Sequence, residues 1–104
     1  TQLSDLSLKE NVIDATDKLD EVNKLRIVNW NFIGDDLKQI GVVAQEVEKI
    51  FPALVDEVEH NQDGKTSKVK SVKYSIFVPI LIKAIQELTA KVEKLESLTC
   101  KCKN

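Results

Sequence analysis

Val78, Leu81, Ile85, Leu88, Val92 and Leu95 are spaced 3, 4, 3, 4 and 3 residues apart, and Thr99 and Cys102 continue the register. A strand would scatter residues so spaced over both of its faces, whereas a helix lines them up as an a/d seam. A seam kept over about three heptads points to a coiled coil, with a single amphipathic helix on its own core as the alternative. The last third of the chain is therefore expected to be one long helix of a coiled coil. Pro79 must fall in its first turn or just before it, since further inside it would remove a hydrogen bond and clash with the turn before it. β-Branched Ile85 and Val92 at a, with Leu88 and Leu95 at d, favour two strands by the general rule. Ile82 at e and Leu98 at g widen the apolar face, as when helices bury more of their flanks, and Lys91 and Glu96 are placed to pair across subunits.

A chain of 104 residues makes one domain with a modest core, here divided into a globular part over 1–72 and the helix over 73–104. Residues 1–72 hold 9 basic and 14 acidic side chains and residues 73–104 hold 6 and 3, for a net charge of -2. That balance gives no electrostatic case for nucleic acid. No apolar run approaches the roughly 18 residues of a membrane span, and no charged-then-apolar leader opens the chain. The segment is thus expected to begin within a longer protein or as a cleaved product, with no membrane partner.

Cys100 and Cys102 stand one residue apart, too close for the usual C-x-x-C redox or zinc spacing, and His60 is the only histidine. Neither a metal nor another cofactor is expected. Free thiols are the default for the two cysteines, with inter-subunit disulfides at the helix end as the alternative. Lys101 and Lys103 suit the negative pole of that helix.

The fold class expected is α+β and mostly helical: a small globular body with short strands and a hairpin, then the long helix. Asp14 is read as the cap of a short helix carrying Ala15, Leu19 and Val22 at helical spacing. Over 26–33 the period changes, with Val28, Trp30 and Phe32 alternating with Asn29 and Asn31, a half-buried strand in which Trp30 belongs to the core. Gly34-Asp35-Asp36 makes a turn. Val43, Val47, Ile50 and Phe51 then form the buried face of a helix stopped by Pro52, with Gln45 and Glu46 off that face as structural or solvated polar groups. Residues 53–59 and 66–72 are strand candidates around Asn61-Gln62-Asp63-Gly64, whose Asp-Gly pair is a strong hairpin signal; His60 is placed at this turn and exposed.

Three strings occur in one order: Ser4-Asp5-Leu6-Ser7-Leu8-Lys9, Gly41-Val42-Val43-Ala44-Gln45-Glu46-Val47, and Val72-Lys73-Tyr74-Ser75 leading into Leu81-Ile82-Lys83-Ala84-Ile85-Gln86-Glu87-Leu88. Serine and aspartate are ordinary cap and turn residues and lysine is usually solvated, so the first string alone carries no function. Together the strings resemble the C-terminal intramolecular chaperone domain that ends phage tailspikes, tail fibres and endosialidases, a self-cleaving serine peptidase. The resemblance runs from Ser4 to about Leu98.

It implies a homotrimer that helps an upstream fibre or tailspike domain of the same polypeptide to fold, in the host cytoplasm, and then leaves it in the virion tail. It also implies that the hairpin embraces the upstream protein. Ser4 would be the nucleophile, Lys9 its partner, and Leu3-Ser4 the scissile bond. The chemistry is coherent, because a serine hydroxyl needs an adjacent base, and an amine with an ordinary pKa of about 10.4 becomes one near pH 7 only after desolvation.

An offset of five puts two side chains on opposite faces of a strand and roughly 140° apart on a helix, so neither element joins Ser4 to Lys9. Either a turn folds the serine back, or the lysine meets a serine of a neighbouring subunit and cleavage waits for assembly. Two other functions stay open: a permanent trimeric foot, favoured by Thr1-Gln2-Leu3 ahead of Ser4, and the self-processing domain of a membrane-tethered transcription factor.

Overall fold

A computed structural model describes residues 1–102, with side chains through Thr99. The expectations for the thiols of Cys100 and Cys102 and for Lys101 and Lys103 lie outside what is described. The helices are α1 (Leu19–Val22), α2 (Ala44–Ile50) and α3 (Phe77–Cys102), and the strands are β1 (Val28–Trp30), β2 (Gln39–Gly41), β3 (Val55–Gln62) and β4 (Lys65–Val72). Short 3-10 turns occupy Leu6–Leu8, Pro52–Leu54 and Tyr74–Ile76. The class is α+β, with two antiparallel strand pairs, β1-β2 and β3-β4, and one long helix.

The core is small. Val47, at 1% exposure, packs with Phe51, Leu54 and Phe77, and Val22, Leu25, Val42, Ile50, Val55, Val72 and Ile80 close around them. Phe77 meets the rings of Phe51 and Tyr74 edge-on, at 6.4 and 6.0 Å between centroids. Val43 caps α2, Phe51 ends it, and Pro52 opens the following 3-10 turn, as the apolar spacing and the proline require. That turn leads straight into β3, so one buried element sets the root of the hairpin.

β3 and β4 pair from Val55↔Val72 at the root to Gln62↔Lys65 at the tip. Asp63 and Gly64, at φ 53° and 75°, make the two-residue turn whose left-handed backbone matches the twist of a hairpin. Only the root is covered; from Asp56 through Val69 both strands are exposed on both faces. Lys70 holds Glu48 of α2 at 2.9 Å, and Lys73 holds Asp56 at 3.4 Å, fastening the root. His60 lies inside β3 opposite Ser67, not at the turn, because the hairpin pairs continuously out to Gln62. It is exposed.

Two other expectations are corrected. Asp14 does not cap α1 and Ala15 is outside it: the helix begins at Leu19 after Lys18, and no side chain of its own segment caps it. Phe32 is not in the strand, since β1 ends at Trp30 and the chain turns at Ile33-Gly34, closed by the Asp35 N–H to the Phe32 carbonyl at 2.9 Å. Asn31 Nδ2 donates to the carbonyls of Phe32 and Asp35 and stiffens the bend. Trp30 is half-buried, with Phe32 edge-on against it at 4.7 Å.

α3 carries two apolar stripes. Phe77, Ile80 and Ala84 face the body and α1, whereas Val78, Leu81, Ile85, Leu88, Val92 and Leu95 are exposed along the next stripe, Ile85 at 61% and Leu95 at 63%. The molecule spans 72 × 41 × 25 Å with a radius of gyration of 19.4 Å, where a compact chain of this length has about 13 Å. Its accessible surface is 9073 Å², against about 5,900 Å² for a compact monomer of this mass.

Candidate functional site

The first seventeen residues are exposed throughout and run ahead of α1 as an arm. One tight feature interrupts it. Asp5 Oδ1 accepts the Ser7 N–H at 2.8 Å and so caps the 3-10 turn Leu6–Leu8, closed by the N–H groups of Leu8 and Lys9 on the carbonyls of Asp5 and Leu6. Ser7, through its hydroxyl and its backbone N–H, holds the Asp5 carboxyl below the usual carboxylate range. The turn draws the chain back on itself, and Lys9 Nζ donates to Ser4 Oγ at 2.8 Å. Of the two routes left open by the five-residue offset, a turn within one chain is therefore sufficient for contact. Asn11, with φ 54°, redirects the chain just beyond.

This arrangement places an amine nitrogen on the serine oxygen, the contact that proton removal from the hydroxyl requires. Both residues are exposed in the single chain, as is Leu3 on the other side of the Leu3-Ser4 bond. Desolvation favours the neutral form of an amine, the form that can take a proton, and among the described residues none covers this pair.

The other two strings serve the body. Tyr74 Oη accepts the Val42 N–H at 3.2 Å and crosses directly over Gly41, where a Cβ would come within 2.7 Å of that oxygen and 3.2 Å of Trp30 Nε1. Glycine at 41 is thus required by close approach. Trp30 Nε1 is buried there without a hydrogen-bond partner. Gln45 is exposed, while Glu46 takes a two-pronged hydrogen bond from Arg26, at 2.9 and 2.6 Å. That bond holds the Glu46 carboxyl below its ordinary value, against the partial loss of hydration, which raises it. Glu46 therefore ties α2 to the segment between α1 and β1, a structural role.

Glu87 was visible in the sequence only as one letter of a string. Its Oε2 accepts the N–H groups of Lys18 and Leu19 at 2.5 and 3.1 Å, and so supplies from α3 the cap that α1 lacks. No spacing rule finds such a contact, because the partners are 69 and 68 residues apart.

An apolar cavity of about 220 Å³ lies between Leu25, Ile27, Val42, Tyr74, Phe77 and Leu81, next to the exposed stripe of α3. Among the described residues no group of His, Cys, Asp and Glu is arranged to hold a metal ion, and no helix is long and apolar enough to cross a membrane.

Comparison with known proteins bears on most of the chain. The family described as chaperone of endosialidase, a peptidase family, matches residues 4–56, from Ser4 through the root of β3. The long tail fiber proteins Gp37 of Enterobacteria phages K3 and T2 are each 33% identical over 99 residues, covering 90% of this chain. The Gp37 of Enterobacteria phage M1 is 37% identical over 60 residues, which is 58% of this chain and 22% of that protein. The chain spans only 8% and 7% of the K3 and T2 proteins. The match extends over half of the sequence and includes two of its three strings: this chain belongs to the chaperone-of-endosialidase family.

Proposed function

We propose that the chain is the C-terminal chaperone of a phage tail fibre, that it assembles as a homotrimer in the host cytoplasm, and that it then releases itself by cutting Leu3-Ser4. The observation that carries the chaperone reading is the surface the single chain leaves open. An excess of about 3,200 Å² over a compact monomer is of the size buried by obligate oligomers. The apolar stripe of α3 from Val78 to Leu95 is part of that open surface. Three such helices, joined through Ile85, Leu88, Val92 and Leu95, would bring three upstream chains into register. That raises the local concentration of strands whose pairing is otherwise slow and exposed to aggregation.

The β3-β4 arm fits the same role. A two-stranded hairpin is marginal alone, and this one is uncovered beyond its root. Laid against a neighbour or the base of the fibre, it would hold the upstream chain during folding.

Cleavage is supported by the contact between Lys9 Nζ and Ser4 Oγ. In the step, neutral Lys9 takes the Oγ proton and Oγ attacks the Leu3 carbonyl carbon, forming a five-membered ring. The C–N bond then breaks as the Ser4 nitrogen takes a proton from Lys9, leaving Leu3 as an ester on Oγ. Water hydrolyses the ester to a Leu3 carboxylate and restores the Ser4 hydroxyl, now on the first residue of the released fragment. Because the pair is exposed in one chain, the water-free surface that lets Lys9 act as a base is supplied by a neighbouring subunit, and cleavage follows assembly. Removal of the chaperone leaves a fibre whose persistence rests on a high unfolding barrier.

The chaperone reading is tested by expressing the parent fibre protein with and without residues 4–104. The whole protein should yield soluble trimers, and the truncated one unassembled or insoluble chains. Equal yields of trimer from both would overturn the reading.

A further inference from the structure

Residues 1–17, which carry Ser4 and Lys9, are exposed throughout, and the first half-buried positions are Lys18 and Leu19. There the arm joins the body. α1 has only four residues, too few to hold a helical turn by itself, and its leading amides have no capping side chain from their own segment. Both Lys18 N–H and Leu19 N–H instead reach one oxygen of Glu87. Charge-assisted bonds to backbone N–H at a helix start are among the stronger ones available. Lys18 Nζ also donates to Thr16 Oγ1 at 2.7 Å, which extends the fixed point two residues back along the arm.

Glu87 sits on α3 between Ile85 and Leu88, two residues of the exposed stripe, but points to the other side, towards α1. Its place relative to the stripe is therefore set by the helix backbone. Whatever fixes the stripe fixes the carboxylate, and the carboxylate fixes where the arm leaves the body. We propose that Glu87 is a positioning residue for cleavage: it clamps the root of the Ser4-Lys9 arm to the assembly helix, so that closing the helix seam delivers the arm to the neighbouring surface that dries the pair. The inference rests on the reading of Ser4 and Lys9 as a cleaving pair and names what couples them to assembly.

The test uses the full-length parent protein carrying Glu87→Gln, Glu87→Asp or Glu87→Leu, with wild type and Ser4→Ala alongside. Glutamine keeps the reach and an acceptor oxygen without the charge, aspartate keeps the charge without the reach, and leucine has neither. Native mass should show all five proteins assembled alike. Fragment release should stay within about threefold of wild type for Glu87→Gln and fall at least about tenfold for Glu87→Asp and Glu87→Leu, the order expected if contact with Lys18 and Leu19 is what matters. Hydrogen exchange at those two amides should speed up in the same order. If Glu87→Leu fails to assemble, the aspartate and glutamine pair still decides. Release at the wild-type rate from Glu87→Asp with its Lys18 and Leu19 amides unprotected would overturn the role of Glu87 and leave the Ser4 reading standing. An uncleaved wild type would overturn both.

Discussion

Lys9 Nζ lies 2.8 Å from Ser4 Oγ although five residues separate them, because the capped turn at Leu6–Leu8 reverses the chain between them. Their contact can therefore be altered without touching the body, and substitutions there should change cleavage and leave assembly intact. In the parent protein, Ser4→Ala and Lys9→Ala should each abolish release, and the double variant should be no worse than either, since nucleophile and base act as one unit. Lys9→Arg is the sharper case. A guanidinium keeps the charge and donor but does not give up its proton near neutral pH, so release should fall by a factor of about a thousand or more. Time courses read by gel and mass would check this, and cleavage by Lys9→Arg at the wild-type rate would exclude Lys9 as the base.

Gly41 and Tyr74 should be energetically coupled. Gly41→Ala puts a methyl group 2.7 Å from Tyr74 Oη and should destabilise the domain by about 1–3 kcal/mol through overpacking. Tyr74→Phe alone should cost about 1 kcal/mol for the bond to Val42. In the double variant the clash is relieved, so the two costs should sum to more than the double variant loses, by about 1 kcal/mol or more. Denaturant midpoints of the four proteins give the cycle. Simple additivity would mean that the hydroxyl moves aside freely.

The Arg26-Glu46 pair predicts a pH dependence with a definite sign. Arg26 depresses the Glu46 pKa in the folded chain, so the stabilisation is complete above the unfolded value of about 4.3 and is lost as pH falls through the lower, folded one. Thermal unfolding of wild type and Glu46→Gln should therefore differ most above about pH 5 and converge towards pH 3. A difference that grew on acidification would contradict the pairing.

These contacts show what a single sequence can disclose. The long helix α3 with its apolar stripe, the stop at Pro52, the buried face of α2 and the Asp63-Gly64 turn were legible because each follows from local spacing or from a residue that permits one backbone and forbids others. α1 was misplaced because its cap comes from Glu87, far along the chain, and Phe32 was read into a strand because alternation does not reveal that its carbonyl closes a turn. Ser4 and Lys9 were singled out by a family resemblance and not by spacing, which left their meeting open. Arg26 and the role of Tyr74 were missed for the same reason as Glu87: their partners are set by tertiary packing.

Assembly through α3 should govern cleavage. Ile85→Asp with Leu88→Asp places unpaired charges in each layer of the seam, at several kcal/mol apiece, and should leave a monomer by sedimentation equilibrium. Such a monomer keeps the Ser4-Lys9 turn, which lies outside α3, yet should release no fragment. A verified monomer that cleaved at the wild-type rate would show that one chain completes the chemistry unaided.

The most direct test of the account is the intact mass of the full-length parent fibre protein after expression. The wild type should resolve into an upstream chain ending at Leu3 and a fragment beginning at Ser4, and Ser4→Ala into the uncut precursor alone. A wild type of undivided mass, a cut at any other bond, or a Ser4→Ala protein that still divides would contradict it.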